Sequence, residues 1–380
     1  MNDKLKDILV VVSFFIIVFG FMIINLIIPD KEISTSERSK LQQFPDLNME
    51  TLMTKSIESG NFMRLFEEYT LDQFAFRDAF RKIKADVSFG LFMKKDNNNI
   101  YIVDGQVSKY WSTMSEGQLK SASQKFNKLY RQFFKDKNVN TYYSVVPDKN
   151  YFIAEENGYP VINYEKFMNT FQKDLDVNYK YIDIFENLDV TDYYSTDIHW
   201  RQEKIADVAR KLASAMEVEL KAEYEEVVKE PFYGVYYGQS ALPIASEELI
   251  YLTNDVLKNC KVTGLDGTTA EFYDTQIYDE KDFENVDPYD IFLEGAKPYF
   301  VIENEVATTD KELIIFRDSF GSSLIPLLVE GYKKITVVDL RYIATPMLQQ
   351  YKLLDVKDGV DVLLLYSTEV LNNSSLLKVL

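Results

Sequence analysis

From Ile8 to Ile28 every position is apolar except Ser13, Gly20 and Asn25. About 20 such residues is the length at which a helix crosses the hydrocarbon core of a bilayer, so this run is expected to be a transmembrane segment. A cleaved secretory signal has a shorter apolar region followed by a small-x-small site. Here the run ends Ile27-Ile28-Pro29-Asp30-Lys31, which predicts an anchor that stays attached. The flanks do not set its direction: Lys4 and Lys6 stand amid Asp3 and Asp7, and Lys31 amid Asp30 and Glu32. The shortness of the head favours an inside N-terminus, and hence a single-pass protein of the cell membrane with a large extracytoplasmic domain.

The chain has 380 residues, 46 % of them hydrophobic, enough for one large or two ordinary domains with a substantial core. A net charge of −18 argues against a nucleic-acid partner, which needs Lys and Arg massed to neutralise phosphates. Cys260 is the only cysteine, which excludes an intrachain disulfide, a thiolate cluster and a Cys-x-x-Cys redox pair. A zinc site would have to rely on one histidine with carboxylates, and no metal or cofactor is expected. The 26 Tyr, 26 Phe and 2 Trp suit either a sugar-stacking surface or a well-filled core.

After the anchor comes a polar stretch, Lys31 to Gln43. Met49 to Phe92 then carries Phe62, Leu65, Phe66, Tyr69, Phe76, Phe80 and Ile83 at helical spacing, which predicts two or three helices. Within it Arg77 and Asp78 read as a surface or inter-element ion pair. Ile100 to Val103 followed by Asp104-Gly105 predicts a strand entering a hairpin. Ser115 with Gln118 opens a helix to about Lys135. The α/β part begins near Val139. Thr141 to Val146 reads as a buried parallel strand ending at Pro147-Asp148-Lys149, where ligand loops or a plain solvated pair are both expected. Tyr164 to Lys173 is helical and Tyr181 to Ile184 a short strand. Arg201 to Met216 places Ile205, Val208, Ala209 and Leu212 on one helix face. Val218 to Asp290 predicts strands or a long loop, its acidic tract Asp274 to Asp290 a solvated connection. The expected division is 1–30 anchor, 31–135 helical region with a hairpin, and 136–380 α/β domain.

Two stretches carry chemistry. Asp197-Ile198-His199-Trp200 holds the only histidine, so any imidazole base near neutral pH is His199. Asp197 can orient it or can simply cap the helix that follows. Leu313 to Phe316 predicts a buried strand. Arg317-Asp318-Ser319-Phe320-Gly321 then forms a turn, and Ser322 to Glu330 a helix. Strand, turn with serine, helix is the arrangement that lifts a hydroxyl above a sheet, with free N–H groups beside it for an oxyanion. Asp318 or Ser319 as an ordinary N-cap is the competing reading. Ser322 and Ser323 lie deeper in the helix and are poorer candidates. Lys334 to Asp339 completes a βαβ unit.

Together these stretches resemble the DHHW family and its relatives, the alginate O-acetyltransferase proteins of SGNH-hydrolase-like fold, which pair Asp-x-His-Trp with a later Asp-Ser-Phe. Glu37-Arg38, Lys40-Leu41, Phe44-Pro45, Asp72-Gln73-Phe74, Phe76-Arg77-Asp78, Val146 to Lys149, and Asp287 to Gly295 with Lys297-Pro298 are also similar, in the same order. The pattern departs in two places: Ile198 replaces the first histidine, and Arg317 stands where the serine block has glycine.

The resemblance implies an SGNH-hydrolase-like parallel sheet flanked by helices. It also implies a triad of Ser319, His199 and Asp197, and O-acetyl transfer to a cell-surface or secreted polysaccharide through an acetyl-serine. A multi-pass membrane acyltransferase would be the partner that supplies acetyl groups. Substrate contacts are expected from Trp200, Lys149, Arg341 and Tyr342; the last two could equally be an oxyanion donor or surface residues. An acetylesterase with the same triad, or a non-catalytic carbohydrate-binding protein, are the alternatives.

Overall fold

The computed structural model describes residues 3–47, 62–176 and 178–380. They fall into two compact units, Met1–Asn97 with Gly238–Pro243, and Asn98–Tyr237 with Ile244–Leu380. The hairpin and the helix after it fall in the second of these units.

In the first unit α1 (Asp3–Ile27) is the helix long and apolar enough to cross a membrane. The expected helical run is present as α2 (Phe62–Asp72) and α3 (Arg77–Asp86), continued by a π turn, Val87–Leu91. Its opening, 49–61, lies outside the described residues. Gln73, between α2 and α3, explains why the polar stretch after the anchor is ordered: its side chain takes the Lys31 N–H at 2.9 Å and donates to the carbonyls of Lys31 and Gln42 at 3.0 Å each. Arg77 pairs with Glu37 across elements, and Arg81 joins the same carboxylate at 3.0 Å.

The second unit is built on one eight-stranded sheet: β1 (Asn140–Val146), β2 (Tyr179–Tyr181), β3 (Lys261–Leu265), β4 (Phe272–Thr275), β5 (Tyr299–Glu303), β6 (Glu312–Arg317), β7 (Lys334–Val338) and β8 (Asp361–Ser367). The spatial order is β4-β3-β5-β7-β6-β8-β1-β2. From β7 to β2 the strands are parallel; β5, β3 and β4 continue the edge antiparallel. Alternation along each strand sorts the core into two layers. Leu313, Ile315, Leu363 and Leu365 face a cluster with α6 (Ala206–Ala215) and α7 (Phe320–Leu328). Ile314, Phe316, Leu364 and Tyr366 face one with α4 (Glu116–Phe133) and α5 (Tyr164–Gln172). The parallel, helix-flanked sheet expected from sequence is thus present, with three antiparallel strands added at one edge.

One local expectation is corrected, and another, left open between strands and a loop, is resolved as strands. The strand predicted at Tyr181 to Ile184 pairs through Tyr181 and the Ile182 N–H, which donates to the Tyr143 carbonyl at 2.9 Å, and then ends where the Asp183 carboxylate accepts the Phe185 N–H at 3.0 Å and turns the chain. The irregular stretch after Val218 forms a hairpin, Glu225–Phe232 with Glu247–Thr253, before β3.

The chain leaves β6 for β7 on one side and then crosses to β8 on the other. Such a reversal opens a crevice at the carboxyl end of the central strand, where open α/β sheets bind ligands.

Candidate active site

Ser319 sits at that point, directly after β6 and before α7. The turn is fixed by Asp318, whose carboxylate accepts the Ser367 N–H of β8 at 2.7 Å and the Phe320 N–H at 3.1 Å. Asp318 therefore does the capping, and Ser319 makes no cap bond. Arg317 is fully buried, its guanidinium donating to the Gly295 carbonyl at 3.0 Å and pairing with Asp339 at 3.3 Å. A Cβ at Gly321 would lie 2.6 Å from that of Arg317. The arginine is accommodated because glycine stands one helical turn on.

His199 lies on a loop clamped from three sides. Glu247 accepts the backbone N–H groups of Ser195 (2.8 Å) and Thr196 (2.7 Å), and Arg201 pairs with the same carboxylate at 2.8 Å. Lys149 Nζ donates to the carbonyls of Tyr194 at 2.8 Å and Ser195 at 3.2 Å. Gly234 packs so closely that a Cβ there would meet Thr196 C at 2.3 Å.

On this support Asp197 Oδ1 takes the His199 Nδ1–H at 2.6 Å and the His199 backbone N–H at 3.0 Å, while Oδ2 takes the Val235 N–H at 2.7 Å. With its Nδ1 proton committed to Asp197, His199 Nε2 is left to accept from Ser319 Oγ, 2.8 Å away. Asp197 is 1 % exposed and His199 8 %, so the carboxylate acts through little solvent screening.

The imidazole is held flat by Tyr289, stacked at 3.9 Å and 6°. Tyr289 is in turn fixed by donating to Ser323 Oγ at 2.7 Å. Tyr289 belongs to the acidic tract Asp274 to Asp290, expected to be a solvated connection, yet it and Ile277 are buried while the rest of the tract is exposed or half-buried. Phe320 meets the imidazole edge-on, 5.1 Å between centroids.

The four residues expected on substrate divide differently. Trp200 is fully buried and donates to Phe320 O at 3.1 Å and Ser323 Oγ at 2.9 Å, so it braces the serine helix and cannot face a ligand. Lys149 is 3 % exposed and donates to the histidine loop, and it also lines the cleft beside the site. Burial lowers its ammonium to about 7. Arg341 is locked on Asp339 at 2.7 Å, which also holds Arg317. Tyr342, 45 % exposed, lies against the Arg341 guanidinium. Asp148 is also internal: its carboxylate accepts from Tyr164 and Thr368 at 2.8 and 2.7 Å, and burial raises its pKa.

Residue types alone gave no signal for Glu247, Gly234 or Tyr289. A lone glycine in an aromatic stretch and a tyrosine in an acidic tract acquire meaning only from what folds against them.

A cleft of about 230 Å³ adjoins the site through Ile198. Tyr110, Trp111, Tyr236, Asn372 and Glu369 are among its other walls. Burial raises the Glu369 carboxyl, with Asp148 adding to the effect. Among the described residues no group of three or more His, Cys, Asp or Glu side chains is placed to hold a metal ion.

No family model matches the sequence, and no curated protein is similar enough to match it. Solved structures do match. A DHHW family protein from Eubacterium siraeum superposes with a TM-score of 0.59 at 18 % identity, over 74 % of this chain and 94 % of that one. PatB1 of Bacillus cereus, also solved with a sulfonyl adduct, superposes at 0.57 and 21 % identity, over 72 % and 97 %. The O-acetyltransferase domain of Pseudomonas putida AlgJ aligns at 0.43 and 12 % identity, over 73 % and 93 %. At these identities the likeness is one of fold, and the fold is the one that the two sequence motifs implied.

Proposed function

We propose that this protein is a membrane-anchored serine acyltransferase that O-acetylates a polysaccharide outside the cytoplasm. The observation that carries the reading is the continuous hydrogen-bonded chain from Asp197 through His199 to Ser319, with links of 2.6 and 2.8 Å. A capping aspartate and a capping serine have no reason to be joined by the sole histidine across 120 positions of sequence. Ser319 Oγ attacks the acetyl carbonyl of the donor as its proton passes to His199 Nε2. That proton then goes to the departing donor group, leaving acetyl-Ser319. An acceptor hydroxyl next gives its proton to His199 and attacks the same carbonyl, which releases the sugar ester and restores Ser319. Asp197 keeps the ring in the tautomer that accepts at Nε2 and stabilises the imidazolium formed in each half-reaction. The Ser319 N–H has no hydrogen-bond partner among the described residues and opens α7, so it is the candidate oxyanion donor. The cleft walled by Trp111, Tyr110 and Tyr236 provides aromatic faces for the acceptor. The donor would be an acetylated multi-pass membrane acyltransferase, reached because α1 holds the second unit at the membrane.

Incubation of the purified protein with an activated acetyl ester, with and without oligosaccharide, tests this. Acetylated Ser319 seen by mass spectrometry, and its faster loss with glycan present, is the expected result. Turnover indifferent to every glycan offered would make the site an acetylesterase. Normal polymer acetylation in cells carrying Ser319→Ala or His199→Ala would defeat the catalytic reading and leave a binding protein.

A further inference from the structure

In the first unit, the segment after α2 presents a surface poorly suited to water. Phe76, Phe80, Ile83, Leu91 and Phe92 are 59, 44, 57, 71 and 66 % exposed. Positions 76, 80, 83, 87 and 91 recur at helical spacing and share one face, while Ala85 and Ser88 are buried on the other. Scattered exposed hydrophobics are ordinary, but a continuous stripe is not. The same stretch is locally basic within an acidic protein. Arg77 to Lys95 holds six Lys or Arg against two Asp, in a chain of net charge −18.

This surface is fixed to α1 at a definite height. Asn25, one of three breaks in the apolar run, accepts the Ala75 N–H on its side-chain oxygen at 2.7 Å. Its amide donates back to the Phe21 carbonyl at 2.8 Å. The Phe21 ring lies parallel to Phe74 at 5.7 Å and meets Phe80 at 5.8 Å. At about 1.5 Å per residue, Phe21 is some 10 Å inside the end of the run at Ile28. Residues that stack on it therefore lie at acyl-chain depth when α1 spans the bilayer. Phe76 holds this geometry in a left-handed conformation, φ 60°, which a non-glycine residue rarely adopts.

We infer that α3 and the turn after it lie in the surface of the bilayer. Phe76, Phe80, Ile83, Leu91 and Phe92 enter the acyl region, and Lys82, Lys84, Lys94 and Lys95 sit among anionic headgroups. This rests on α1 as a membrane anchor, and it makes the attachment a two-element platform rather than a single tether. Lipid is the occupant because the contacts with Phe21 and Asn25 set the stripe at the depth of the apolar run, and because the flanking charge is opposite to that of an anionic leaflet.

Full-length protein in liposomes of phosphatidylcholine and phosphatidylglycerol, with no other protein present, provides the test. In a Cys260→Ser background, spin labels are placed through Ile83→Cys, Asp78→Cys and Val12→Cys, and collision with oxygen and with a water-soluble nickel chelate is measured. Oxygen should dominate at positions 12 and 83 and the nickel chelate at 78, which is exposed on the opposite side of the same helix. Nickel-dominated collision at 83 with position 12 protected would overturn the inference and keep the anchor, pointing to a protein partner for the stripe. Nickel-dominated collision at 12 would remove the anchor and the inference together.

Discussion

Gly234→Ala loads the loop that supports the proposed triad. The added Cβ would lie 2.3 Å from Thr196 C and O and 2.4 Å from Asp197 N. Carbon atoms settle at about 3.5–4.0 Å, so the Thr196–Asp197 peptide must retreat by about 1 Å. All the atoms it meets are backbone, and Glu247 pins the preceding peptide by accepting the Thr196 N–H at 2.7 Å. The displacement therefore reaches the Asp197 carboxylate, which also loses its 2.7 Å bond from the Val235 N–H. A misplacement of about 1 Å costs about 100-fold in rate, or about 2.7 kcal/mol in the barrier. Overpacking itself lowers stability by about 1–3 kcal/mol. The assay is release of p-nitrophenol from its acetate ester, at a temperature where circular dichroism shows the variant folded. We expect kcat to fall about 100-fold with KM little changed, since Gly234 positions the orienter and touches no substrate. A folded variant with native kcat/KM would refute the claim that this close approach sets the position of Asp197.

Asp197→Asn should lower kcat by about 10⁴-fold while leaving the fold intact, because an amide favours the wrong imidazole tautomer; steady-state kinetics with the same ester reads this directly. Trp200→Phe strands Phe320 O and weakens the hold on Ser323, which should cost about 1–3 kcal/mol of stability. Its KM should be unchanged; a raised KM would restore Trp200 to the substrate. Lys149 titrates at about 7 when folded and at about 10.4 when unfolded. Between those values the unfolded chain binds the extra proton, so stability rises with pH across that window and loses this contribution as pH falls toward 7. Urea unfolding from pH 7 to 9 should show this native gain, at most about 1.4 kcal/mol per pH unit, vanishing in Lys149→Met.

Several elements were readable in the sequence from local pattern alone. The apolar run required a helix, because about 20 residues without charge have no other way to satisfy their backbone in lipid. Leu313 to Phe316 followed by Asp318-Ser319 required a buried strand and a sharp turn, and Ser115 with Gln118 marked a helix start that the structure shows at a bond of 3.3 Å. Asp197-x-His199 and Ser319 could be named as chemistry, each with a capping role also open.

Only tertiary structure could bring the long-range partners together, since capping is a local bond and a triad is a long-range one. It assigned the cap to Asp318 and left Ser319 to His199, 120 positions away. It also buried Trp200 and Lys149, whose residue types suit a ligand as well as a core. Tyr289, Glu247 and Gly234 owe their importance wholly to packing partners distant in sequence. No window of residue types along the chain encodes a stacking distance or a backbone approach.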